Sequence, residues 1–187
     1  MAVPGLVFTL VAFILLVIAS ATPPTSNVSS FLDVGGDLHF GVFGYTGSPK
    51  TVGWHFPAAV ADDYLNQDVF HDLTHALVLV PVCASLAGAA FLINLLGATC
   101  AGWVATAFAS ILSTIAFAIL EIAFILEMVL FGLARSHLRE RGVDATLGNA
   151  NWIVLSAGLI LGFSVTLGWL ATCCQGVRRE INRGDRW

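Results

Sequence analysis

The chain has 187 residues, of which 57% are hydrophobic and 11% charged, with a formal net charge of −4. Soluble domains carry roughly 25% charged residues, so this is the composition of a membrane protein. No basic surface is available for nucleic acid, and the longest polar stretch, residues 22–72, is too short for a self-contained soluble enzyme.

Residues 5–21, GLVFTLVAFILLVIASA, form one apolar run at the lower length limit for a membrane span. Ala19-Ser20-Ala21 fits a signal-peptide cleavage pattern, but no Lys or Arg precedes the run, so we read a retained first helix. Pro23-Pro24 ends it. Residues 22–72 then form an acidic first loop, in which Asp33, Asp37, Asp62, Asp63, Asp68 and Asp72 face the single basic Lys50. Asn27-Val28-Ser29 is a glycosylation sequon, although its closeness to the first span opposes occupancy.

Within this loop, residues 39–56 read HFGVFGYTGSPKTVGWHF, aromatic and β-branched residues punctuated by Gly and Pro. Thr46–Lys50 reads as a turn, which predicts an antiparallel hairpin carrying Phe43, Tyr45 and Trp54. An isolated hairpin is marginal in water, so it is expected to lean on the end of a helix bundle. Its aromatics form its buried face, an interfacial belt or an exposed contact strip.

A second helix is predicted over about residues 73–99, with a kink at Pro81 and one polar interior residue, Asn94. The short Gly97–Gly102 link sets it antiparallel to a third helix over about 103–136. That helix approaches roughly 50 Å, longer than a hydrocarbon core of roughly 30 Å. A fourth helix spans about 152–172 and carries Gly158-x3-Gly162, a small-residue face that admits close helix contact. A tail, 175–187, holds Arg178, Arg179, Arg183 and Arg186. By the positive-inside rule the tail is cytoplasmic, and four spans put both termini there and the first loop outside. Arg135, Arg139 and Arg141 in the third loop run against that rule.

Glu121 and Glu127 both lie in the third helix. A carboxylate at bilayer depth is costly unless protonated or paired, which makes each a candidate. Six positions at 100° set them about 240° apart, on different faces. Structural pairing, a subunit interface and an ion path are the open readings. All five histidines fall on predicted outer segments, and His71 and His75 share a helix face beside Asp68 and Asp72. They are weak zinc candidates, since two ligands do not complete a tetrahedral site; an outward-facing charge switch is the other reading. The cysteines are Cys83, Cys100, Cys173 and Cys174. Cys100, Cys173 and Cys174 are acylation candidates, or small packing residues. No catalytic constellation, metal triad or cofactor motif is present in the sequence.

The runs FGVFGYTGS, VGW and LTHALVLVPVCASLAGAAFL resemble the first loop and second helix of fungal PalI-like proteins, members of the Sur-seven/PalI group of claudin-like tetraspans. Thr46 stands where many members have Cys, and the first loop contains none. The resemblance implies an all-α membrane fold: a claudin-like four-helix bundle with a small extracellular antiparallel β-sheet. It also implies a non-enzymatic plasma-membrane role tied to ambient pH or membrane stress, as organiser of a membrane domain or escort of a receptor. Expected partners are lipids and either further copies of the chain or a larger membrane protein. Lateral self-assembly is the alternative, and a channel or transporter accessory the third.

Overall fold

The computed structural model describes residues 3–25, 29–58, 60, 64–97 and 102–184. Asn27 and Cys100, candidates for glycosylation and acylation, lie outside the described residues. Among the described residues five helices are present: α1 (Val3–Ser20), α2 (Asp68–Ala76), α3 (Leu79–Leu96), α4 (Gly102–Glu140) and α5 (Asn149–Gly184). Those spanning Asp68–Leu96, Val104–Glu140 and Asn149–Cys174 are long and apolar enough to cross a membrane, and Gly5–Ser20 is a shorter apolar helix.

α1 packs on α3 and α5, and α4 packs on the same two, closing a ring of four. Small residues make the close approach possible. On α4, Ala109, Ser113, Ala116, Leu120, Ala123, Glu127, Leu130, Ala134 and Leu138 are all buried. Their spacing by threes and fours is the seam of an antiparallel bundle.

The second predicted helix is two helices. It begins at Asp68 rather than 73 and breaks at Leu77-Val78. Pro81 has no N–H and its ring opposes the carbonyl four residues earlier, Leu77. That carbonyl is taken instead by the Val80 N–H at 3.1 Å. The third predicted helix continues to Glu140, giving 39 residues and a length of roughly 58 Å. The fourth starts earlier, at Asn149, and runs through part of the expected tail to Gly184.

One end of the bundle is capped by a sheet of four strands in the order β3-β2-β1-β4: β1 (Leu32–Val34), β2 (Leu38–Gly41), β3 (Gly44–Tyr45) and β4 (Ala145–Leu147). All pairings are antiparallel, and Leu32 stands between Phe40 of β2 and Leu147 of β4. The predicted hairpin over 39–56 is therefore corrected. Its turn is at Val42-Phe43, between Gly41 and Gly44, not at Thr46–Lys50. Gly44 has φ +144°, a conformation that favours glycine. Residues 52–56 form no strand; Trp54 and Phe56, 4% exposed each, are drawn inward as a strap across the cap.

The cap is fastened to the bundle by aromatic packing and by the second connection. Phe31 stacks on Phe131 of α4 with ring centroids 5.5 Å apart. Gly148 N–H donates to the Phe31 carbonyl at 2.9 Å and Ala150 N–H to the Ser30 carbonyl at 2.9 Å. Asn151 Nδ2 donates to the carbonyls of Phe31 at 2.7 Å and Gly148 at 3.2 Å. Gly148 is required here, because a Cβ would run into the Ser30 backbone.

Candidate functional site

The two carboxylates of α4 have opposite fates. Glu127 occupies the core seam, fully buried, and neither carboxyl oxygen has a hydrogen-bond partner among the described residues. Glu121 is exposed on the outer surface of the bundle. Its neighbours Ile122 and Ile125 are 56% and 59% exposed. They stand on different faces, as their spacing requires, and they do not form one site. The seam itself was readable: following small and apolar residues from Ala109 to Leu138 places position 127 inside and 121 outside.

Depth follows from the tryptophans. Trp152 and Trp169 on α5 are 64% and 43% exposed and stand roughly 25 Å apart along the helix, a spacing that fits aromatic belts at two interfaces. Glu121 Oε1 lies over Gly158, at 3.3 Å from where a Cβ would be. Six residues separate Gly158 from Trp152, which puts Glu121 roughly 9 Å inside that belt. Gly162 accommodates the Phe117 ring of α4. The Gly158/Gly162 face, a surface through which copies of the chain would pack under the self-assembly alternative, is thus occupied within the chain's own bundle.

At the end of the bundle opposite the sheet, Thr9 and Ser164 share a hydroxyl hydrogen bond, and Ser164 donates to the Gly5 carbonyl at 3.1 Å. Ser164, with Asn94, Thr106, Ser110 and Ser113, borders a cavity of about 20 Å³, room for about one water molecule. Ala116, Leu120 and Ala123 are buried between this cavity and Glu127.

In the cap, Phe40 is the hub of an aromatic cluster, its ring centroid 5.3 Å from Trp54, 5.4 Å from Phe56 and 5.9 Å from Tyr45. Trp54 is buried, and Phe43 and Tyr45 are half-buried, so the cluster is mainly core rather than an exposed strip. Hydrogen bonds tie the surrounding loops: His39 Nδ1 bonds Asp33 across β1–β2, Arg139 Nε donates to the Ala145 carbonyl at 3.1 Å, and Arg141 Nη1 donates to the Val60 carbonyl at 3.3 Å. Two of the three arginines that opposed the charge rule, Arg139 and Arg141, are used in fastening the cap.

His71 and His75 are brought together on α2, with Nε2 atoms 3.3 Å apart. His55 from the strap joins them, stacked on His71 at 4.1 Å. His55 counted in the sequence only as one of five outer histidines, because it reaches His71 solely through the strap. Cys173 and Cys174 are exposed on α5 and Cys83 is buried on α3. Among the described residues, no three His, Cys, Asp or Glu side chains converge as a metal site.

No protein-family model matches the chain, and no curated protein matches it in sequence.

Proposed function

We propose that this chain is a non-enzymatic, PalI-like multi-pass protein of the plasma membrane, with both termini cytoplasmic, that acts by lateral contact in the bilayer. It escorts a larger membrane protein or organises a membrane domain in ambient-pH or membrane-stress signalling. The observation that carries this reading is Glu121. Carboxylates within a span almost always face a bundle interior or a water-filled cavity; this one is exposed, beside the exposed Ile122 and Ile125. A donor from a neighbouring helix is the natural way to offset a cost of several kcal/mol. A pore is disfavoured by the packed Ala116, Leu120 and Ala123 between Glu127 and the water-sized cavity. Self-assembly is the second reading, but its Gly158/Gly162 face already holds α4.

The test is native mass spectrometry of particles gently extracted from membranes. A stoichiometric complex with a larger membrane protein, dispersed by Glu121→Leu, is the expected result. A ladder of this chain alone would replace the escort reading with self-assembly. A monomer retaining only lipid, or a complex indifferent to Glu121→Leu, would refute both.

A further inference from the structure

The strap over residues 53–55 does more than carry Trp54 inward. It sets loop residues against both histidines of α2. His55 lies flat on His71, centroids 4.1 Å apart and planes 18° apart. Gly53 approaches His75 so closely that a Cβ would strike its ring. Between them the buried Thr74 hydroxyl donates to the Trp54 carbonyl at 3.0 Å, pinning strap to helix. His71 and His75 are thereby held with their Nε2 atoms 3.3 Å apart. Two elements build the arrangement, not one helix alone.

We propose that His71 and His75 bind a divalent transition metal ion, with zinc the best match. At a metal–nitrogen distance of about 2.0–2.1 Å and a tetrahedral angle, two ligand nitrogens stand about 3.3 Å apart, and the two Nε2 atoms already have that spacing. Imidazole donors suit zinc, copper and nickel rather than magnesium or calcium. His75 is exposed, so the ion can enter from solvent. Exposed Asp68 and Asp72 lie on the same stretch of α2 and favour a cation electrostatically. Water completes the coordination. His55 is a positioning residue, whose ring restrains that of His71. The His71 Nδ1 is enclosed and has no hydrogen-bond partner among the described residues. It lacks the outer acceptor whose loss typically costs about 10–100-fold in metal affinity, so the site exchanges its ion readily rather than holding it permanently.

The test is calorimetric titration of the full-length, tag-free chain in mild-detergent micelles with zinc chloride alone, after chelator treatment, at pH 7.5. One zinc per chain is expected. His71→Ala, and His75→Ala at its exposed position, each weaken binding by about 10-fold or more. His39→Ala leaves it unchanged. His55→Phe keeps the stacked ring without a nitrogen and retains binding, while His55→Ala weakens it. Zinc affinity equal in wild type and His75→Ala, or binding that survives both α2 substitutions, overturns the site; loss of binding in His55→Phe overturns the positioning role.

Discussion

Replacing Asn151 by alanine tests how the cap is fastened to the bundle. The side chain is 3% exposed and makes two hydrogen bonds, to the carbonyl of Phe31, which leads into β1, and to that of Gly148, which follows β4. Each bond contributes about 0.5–1.5 kcal/mol net. The Oδ1 atom has no hydrogen-bond partner among the described residues, so its removal offsets a little of the loss. The expected cost is about 2 kcal/mol. For a chain of this size each kcal/mol moves the melting midpoint by about 2–4 °C, so the drop should be about 4–8 °C. Thermal melts followed by circular dichroism, with wild type and variant in the same detergent, give the number. Ser156→Ala, at an exposed position on the same helix, is the reference and should stay within about 0.5 kcal/mol. An Asn151→Ala midpoint no lower than that reference would refute the fastening argument.

Two glycines should respond in opposite directions. Gly148→Ala forces a Cβ onto the Ser30 backbone and should lower the midpoint, with a cost of about 1–3 kcal/mol as in other overpacked sites. Gly132→Ala on α4 meets no atom within 4 Å and should raise it, since glycine costs about 0.8–1 kcal/mol against alanine inside a helix. Equal responses in the same melts would discredit the packing described around β4. Glu127→Leu removes a fully buried carboxyl group without hydrogen-bond partners among the described residues, a group whose burial costs about 1–3 kcal/mol. A higher midpoint is expected; a lower one would show that the carboxyl group holds a stabilising contact.

Much of the helical frame was legible because a helix is specified locally. Apolar runs marked the spans, Pro81 marked a kink where the structure has a full break at Leu77-Val78, and the spacing of Glu121 and Glu127 separated their faces. The i, i+4 rule brought His71 to His75. The boundaries of α4 and α5 were less legible, since both helices continue into polar sequence once the cap or the preceding turns support them. The hairpin was misread because Thr46–Lys50 looked like the stronger turn. The turn actually lies at Val42-Phe43, where Gly44 supplies the positive φ and Gly41 packs against the Pro23 backbone.

What the sequence determined by itself was a chain rich in spans, with two acidic residues on different faces of one long helix and a histidine pair one turn apart. Only the tertiary structure decided that three residues of the second connection, Ala145–Leu147, complete the sheet begun at Leu32. Only it brought His55 to His71 and filled the Gly158/Gly162 face from α4. The reason is physical. A helix closes its hydrogen bonds within four residues, so composition and periodicity reveal it. Short strands and single-ring contacts gain their stability from partners distant in the chain, and a three-residue strand carries too little local pattern to announce its partner.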